Sequence, residues 1–270
     1  MATSKETFAG SIPEIYDRLL VPLIFESYAR DLARRLTKIG PRHVLETAAG
    51  TGVLTRAIAS ALPADARMTT TDFSQPMLDH ARARQSADKR IQWQQADATA
   101  LPFADQSFDA VVCQFGAMFF PDRIKGFSEA RRVLKSGRSF FFNVWDKISE
   151  NDFADTVTHA LGAVFPTDPP LFFVRTPHGY HDQKQIRADL TKAGFKDISI
   201  DAVEAKSRAR SPLEAAIAYC QGTPLRNEIE SRNGARLEDA TKRAAAALAQ
   251  RFGEGAIEGR IRAYVITAAS

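Results

Sequence analysis

The hydrophobic positions of this chain change their period along its length. From His43 to Trp145, short β-branched and aromatic runs alternate with stretches of helical spacing. His43–Thr47 (HVLET), Met68–Phe73 (MTTTDF), Ile91–Ala96 (IQWQQA), Phe108–Phe115 (FDAVVCQF) and Ser139–Trp145 (SFFFNVW) read as strands. Leu54–Leu62, Gln75–Arg84 and Ile124–Leu134 read as helices among them. The fourth run is almost continuously apolar, the pattern of a strand covered on both faces. Strands alternating with helices of this length imply right-handed crossovers and a parallel, doubly wound sheet.

After Trp145 the rhythm changes. Asn151–Phe165 and Gln183–Ala193 are helical, with Pro166, Pro169, Pro170 and Pro177 breaking the chain between them. Ile198–Val203 and Ile261–Thr267 alternate like strands, and Pro212–Gln250 between them is Ala- and Glu-rich and helical. Phe8–Leu36 reads as an amphipathic helical region around Tyr16, Asp17 and Phe25. The predicted fold is α/β: a mostly parallel, seven-stranded, Rossmann-like sheet that ends in an antiparallel hairpin and carries helical insertions. The predicted organisation is an N-terminal helical segment (1–42), a ligand-binding core (43–145) and a C-terminal part of the sheet (146–270) with cap insertions at about 146–181 and 208–258.

Composition narrows the setting. No apolar run approaches the roughly 20 residues of a membrane span, and MATSKETFAG at the N-terminus has no signal-peptide stretch. Cys113 and Cys220 form neither a disulfide framework nor a metal-ligand spacing. The expectation is a cytoplasmic protein without a metal. Its 36 basic and 32 acidic residues are interleaved, so the basic group Arg131, Arg132, Lys135 and Arg138 reads as the wet face of a helix rather than a nucleic-acid patch.

The chemistry concentrates where strands end. Glu46-Thr47-Ala48-Ala49-Gly50-Thr51-Gly52 lies between a strand and a helix. Small residues at 48, 50 and 52 let backbone approach a ligand, and the following helix offers free N–H groups to something anionic. A tight strand-to-helix turn is the plainer alternative. Asp72 ends the second strand, 20 residues after Gly52; a carboxylate at this spacing can accept both hydroxyls of a ribose, or cap the next helix in competition with Ser74. Asp97 and Ala98 end the third strand, where a carboxylate can meet an exocyclic amine of adenine or simply be solvated. All three elements fall where such folds bind ligands. A dinucleotide fits poorly, because Glu46 would repel a pyrophosphate and Thr55 stands where the third glycine of G-x-G-x-x-G belongs. S-adenosyl-L-methionine fits better: its carboxylate can meet the helix N-terminus, its ammonium Glu46 or nearby carbonyls, and its ribose and adenine Asp72 and Asp97.

The stretch from about Val44 to Trp145 resembles class I S-adenosylmethionine-dependent methyltransferases, and among them the ubiquinone/menaquinone C-methyltransferases. VLETAAGTG (Val44–Gly52), TDFSQPML (Thr71–Leu78), QADATALPFADQSFDAVVCQFGAMFF (Gln95–Phe120) and RRVLKSG (Arg131–Gly137) carry the resemblance. Ala48 replaces the commonest first glycine of the loop, and Ser136 and Arg138 replace the usual proline and glycine of the later turn. The resemblance implies that Glu46, Ala48, Gly50 and Gly52 form the methionine end and that Asp72 takes the ribose. It sets Phe73 and Met77 beside the adenine, Asp97 and Ala98 at its edge, and Gln114 and Phe115 facing the sulfonium and substrate. For Phe73, Met77 and Phe115 the alternative is core packing. In similar enzymes the N-terminal segment folds over the cofactor; Tyr16 then either faces the sulfonium by a cation–π contact or packs on the sheet.

Methyl transfer from a sulfonium is an in-line displacement by a substrate lone pair, so a base is needed only for a nucleophile whose proton has a high pKa. His178, Tyr180 and His181 are the candidates for such a role, with two surface histidines in a loop as the alternative. Asp152 and His159 lie one helix earlier. Phe165, Leu171, Phe172 and Phe173 suggest an apolar or aromatic small-molecule acceptor. Gln114-Phe115-Gly116-Ala117 stands where a nucleic-acid amine methyltransferase would carry Asp/Asn-Pro-Pro-aromatic, which disfavours a nucleic-acid partner. A nicotinamide-dependent oxidoreductase and a non-catalytic S-adenosylmethionine-binding protein are the alternatives, and a homodimer is compatible with the class.

Overall fold

Short β-branched and aromatic runs, and longer alternating ones toward the C-terminus, become the strands of a single sheet. In the computed structural model, which describes residues 12–85, 87–232 and 236–270, these are β1 (His43–Glu46), β2 (Arg67–Asp72), β3 (Ile91–Gln95), β4 (Phe108–Gln114), β5 (Leu134–Trp145), β6 (Ile198–Ala209) and β7 (Ile257–Ala269). Their order is β3-β2-β1-β4-β5-β7-β6. β1 to β5 pair in parallel. β7 runs antiparallel to β5, with Ser139 opposite Ala269 and Trp145 opposite Ala263. The expected doubly wound sheet with a hairpin end is therefore the one that forms. β2 and β4 flank β1 on opposite sides, so the winding reverses there and opens a crevice at the C-terminal ends of β1 and β4.

β5 begins at Leu134 rather than at the expected Ser139. Leu134 pairs with Phe108 and Ser139 with Ala110, so residues 135–138 bulge out of the ladder, with Gly137 at φ +71°. The stretch expected as a turn after a helix is this bulge.

Nine α-helices of six residues or more accompany the sheet among the described residues: α1 (Glu26–Thr37), α2 (Val53–Ala61), α3 (Gln75–Gln85), α4 (Arg123–Val133), α5 (Asp152–Val164), α6 (Gln183–Lys192), α7 (Pro212–Gln221), α8 (Leu225–Glu230) and α9 (Leu237–Phe252). The chain divides into two units. One comprises Glu26–Trp145, Tyr180–Val203 and Ala263–Ser270; the other runs as far as Phe25 and adds Asp146–Gly179 and Glu204–Arg262.

In the first unit, α1 presents Ala29, Leu32, Ala33 and Leu36 at helical spacing to Val44, Met68, Ala110, Val112 and Phe141 of the strands, with Leu54 and Ile58 of α2 beside them. The neighbours of Phe141 point to the opposite face. There Phe140 and Phe142 stack with centroids 4.8 Å apart, and Phe142 lies 5.2 Å from Phe127 of α4. β5 is thus buried on both faces.

In the second unit, the helical stretch expected over Pro212–Gln250 is three helices. Gly222 closes α7 where a Cβ would lie 2.7 Å from the Ala218 carbonyl oxygen and 3.0 Å from Ile15 Cγ2. Tyr16–Phe25 is a π-helix with Pro22 inside it, a residue that has no N–H to give to an α-helical ladder. Residues 8–11 of the expected N-terminal helix lie outside the described residues. Among the described residues no helix is long and apolar enough to cross a membrane.

Leu32 is fully buried at the centre of the α1–sheet contact. Leu32→Ala is expected to cost about 3 kcal/mol through lost burial and the cavity it leaves. Urea unfolding checks this: the midpoint should fall at unchanged slope, and an unchanged midpoint would refute the packing described.

Candidate functional site

The loop after β1 is tied down on both sides. Thr47 N–H donates to the Val112 carbonyl of β4 (2.9 Å), and Ala49 N–H donates to the Thr71 carbonyl of β2 (3.0 Å). Three of its residues are left-handed: Ala48 (φ +53°), Gly50 (+57°) and Gly52 (+79°). Glycine adopts this region freely, whereas at Ala48 it costs about 1–2 kcal/mol. The extra methyl of Ala48 is accommodated by Gly116, just beyond β4. A Cβ on Gly116 would stand 2.4 Å from that of Ala48 and 2.8 Å from Cys113 Sγ. Gly52 lets α3 approach, since its Cβ would lie 3.0 Å from that of Ala81. At Gly50 a Cβ would meet nothing within 4 Å, so that face of the loop borders open space.

Two carboxylates bracket the loop. Glu46 is 1% exposed. Its Oε2 accepts a hydrogen bond from Thr55 Oγ1 (2.6 Å), while Oε1 has no hydrogen-bond partner among the described residues. Thr55, which displaces the third glycine of a dinucleotide loop, therefore serves the carboxylate. Burial pushes the Glu46 carboxyl up to about 8, and the neighbouring Asp72 charge adds to this. Asp72 Oδ2 accepts from Gly50 N–H and Oδ1 from Ser74 N–H, both at 2.7 Å. One carboxylate thus clamps the loop and leads into α3. Burial raises its pKa against the pull of these N–H donors. Asp97, part-buried at the end of β3, accepts from both the N–H and Oγ1 of Thr99 at 2.8 Å through Oδ1, with Ala98 beside it.

The apolar candidates separate by exposure. Phe73, next to Asp72, is 38% exposed, whereas Met77 and Phe115 are buried. Phe115 adopts φ +49° at the tip of β4. Its ring stacks on Trp145 with centroids 4.0 Å apart and meets Tyr28 edge-on. Its N–H donates to Asn143 Oδ1 (2.8 Å). Gln114, the preceding residue, is half-buried.

The remaining candidates fall in different units. Tyr16 belongs to the second unit, where its ring stacks on Phe25 at 5.2 Å. His178, in the same unit, is buried, with Nδ1 2.8 Å from the Asp146 carbonyl oxygen, so the expectation of two surface histidines holds for His181 alone. Tyr180 and His181 belong to the sheet's unit. The Tyr180 hydroxyl donates to Asp189 Oδ2 (2.8 Å) and the Arg123 guanidinium lies over its ring. Burial and Asp189 hold this phenol well above its ordinary pKa, with its proton given to the Asp189 carboxylate. Asp152 holds Arg260 N–H and Arg251, and His159 is exposed. Among the described residues no three His, Cys, Asp or Glu converge as metal ligands.

Sequence reasoning missed Asn143, Gly116 and Thr55 as parts of this arrangement. The one available signal was Asn143 itself, a lone polar residue within the apolar run SFFFNVW.

The open face of Gly50, the unpartnered Glu46 oxygen and the carboxylates ending β2 and β3 suit a ligand with a cationic amino-acid end and a ribose. A family described as a methyltransferase domain matches residues 44–137. The chain is 37% identical over 203 residues to the ubiquinone/menaquinone biosynthesis C-methyltransferase of Geobacter sp. (strain M21), a match covering 70% of this chain and 86% of that enzyme. It is 40% identical over 104 residues to the demethylmenaquinone methyltransferase of Clavibacter sepedonicus, where the match spans 38% of this chain and 41% of that enzyme. It shares its fold with a Haemonchus contortus phosphoethanolamine N-methyltransferase solved with S-adenosyl-L-methionine (TM-score 0.55, 18% identity, 97% of this chain and 60% of that one). The chain belongs to the class I S-adenosylmethionine-dependent methyltransferases, in the group similar to the ubiquinone/menaquinone C-methyltransferases. Nothing in these matches supports the nicotinamide-dependent or the non-catalytic alternative.

Glu46 yields a pH test on the ligand-free protein. Its carboxyl titrates near the ordinary 4.5 when unfolded and near 8 when folded. The folded state therefore holds the extra proton between those values, and stability falls as pH rises across that window. Glu46→Gln, which mimics the protonated acid, is expected to raise the thermal midpoint relative to wild type more at pH 8.5 than at pH 5. Equal differences at the two pH values would contradict the burial described.

Proposed function

We propose that this chain methylates a carbon of an apolar, aromatic small molecule of the quinone or hydroquinone class. The carrying observation is the match over 86% of a ubiquinone/menaquinone C-methyltransferase, which extends well beyond the cofactor loop. Phe172 and Phe173, buried edge-to-face in the second unit, agree with an apolar acceptor. The expected homodimer and cytoplasmic location belong to the same proposal, as does the division into segments 1–42, 43–145 and 146–270.

S-adenosylmethionine supplies a methyl already activated on a positively charged sulfur, so the protein's work is alignment and exclusion of water. In this reading Asp72 accepts from the ribose hydroxyls while its clamp on Gly50 N–H keeps the loop in shape. Glu46 receives the ammonium through Oε1, the oxygen that Thr55 does not use. Ala48, Gly50 and Gly52 bring backbone close to the methionine end, and Asp97 and Ala98 meet the adenine edge. The exposed ring of Phe73 and the buried Met77 stand beside the adenine. Gln114 and Phe115 border the sulfonium. His178, Tyr180 and His181 stand as the candidates for a base, should the acceptor need one.

Two measurements test this. Titration calorimetry should show S-adenosylhomocysteine binding and no NAD binding, with Asp72→Ala losing about 1.5–3 kcal/mol for hydrogen bonds to a charged group. Incubation with methyl-labelled donor and a panel of hydroquinones, phenols and amines should place the label on ring carbon. NAD binding in place of S-adenosylhomocysteine would overturn the cofactor assignment, and label on oxygen or nitrogen would overturn the acceptor class.

A further inference from the structure

Asn143 is fully buried in β5, on the same face as Phe141 and Trp145. Its Oδ1 accepts the Phe115 N–H at 2.8 Å. Its Nδ2 is also buried and has no hydrogen-bond partner among the described residues. A buried amide with an idle NH₂ is a poor choice for packing alone, because desolvating that donor is uncompensated and an apolar side chain of similar size avoids the cost. What the amide contributes is its acceptor, and the acceptor falls on a special point. Phe115 is one of three non-glycine residues with positive φ among the described residues. The next residue, Gly116, is the seat for the methyl of Ala48, a second member of that group, in the loop between β1 and α2. A hydrogen bond from β5 therefore fixes a left-handed turn after β4, and that turn fixes a left-handed residue after β1.

We propose that Asn143 is a positioning residue for S-adenosylmethionine: it acts through Phe115 and Gly116 to hold Ala48 and the cofactor loop in their binding shape. The inference rests on the assignment of that loop to the cofactor. It accounts for a polar residue in the middle of SFFFNVW and for how alanine stands where the family's loop commonly has glycine. The left-handed geometry at Ala48 is maintained from outside the loop, by the close seat at Gly116. Asn143 itself touches neither ligand nor reacting atoms in this account.

The test compares Asn143→Asp, which keeps an acceptor for Phe115 N–H, with Asn143→Leu and Asn143→Ala, which remove it. Each variant is titrated with S-adenosylhomocysteine in a calorimeter well below its thermal midpoint, and wild type is titrated alongside. Leu and Ala are expected to weaken affinity about tenfold or more, the scale of one lost buried hydrogen bond, while Asp stays within about threefold of wild type. Exchange of the Phe115 amide proton should speed up in Leu and Ala and stay slow in Asp. A merely structural residue would lower the midpoint in all three variants and leave affinity unmoved. Wild-type affinity in Leu and Ala, or equal losses in Asp and Leu, would overturn the proposal. Absence of binding by the wild type would instead overturn the cofactor reading beneath it.

Discussion

The hydrogen bond from Gly50 N–H to Asp72 Oδ2 is the contact on which the site depends. A left-handed backbone after β1 is not self-supporting: it has no helical or sheet ladder of its own, and at Ala48 it runs against the preference of an L-residue. The protein holds it with bonds from neighbours already fixed by the sheet. Thr71 and Val112 carbonyls receive its N–H groups from either side, and the Asp72 carboxylate receives a third. Because β2 and β4 are hydrogen-bonded to β1, the loop inherits the rigidity of three strands. The same carboxylate leads into α3 through Ser74 N–H, so shaping the loop and starting the helix are one event.

Burial gives the two carboxylates different characters. Asp72 is surrounded by N–H donors that favour its charged form. Glu46 is held by Thr55 alone, with Oε1 unpartnered among the described residues, and burial raises its carboxyl to about 8. A site that receives a cation gains from a carboxylate in that condition, since the incoming charge supplies what the protein has withheld.

Most of the fold was legible because its signal is local. Period-two and period-3.6 patterns, Gly50 and Gly52 after HVLET, and aspartates ending two strands each declare themselves within ten residues. Glu46, Gly50, Asp72 and Gly52 were readable as a cluster because the strand–loop–helix order places them at one sheet end. What was not legible depends on register and on contacts between distant segments. The start of β5 shifted because residues 135–138 bulge, which only pairing with Phe108 and Ala110 reveals. The burial of His178 and the engagement of Tyr180 by Asp189 come from packing, and the role of Gly116 exists only because Ala48 lies against it.

In the proposed function this loop, clamped by Asp72, is where an adenosyl amino acid binds. Backbone amide NMR during a titration with S-adenosylhomocysteine tests it most directly. The resonances of Ala48, Gly50, Phe73 and Ala98 are expected to shift together and saturate with a single dissociation constant. Saturable binding that leaves those four amides unmoved while shifting others would contradict it.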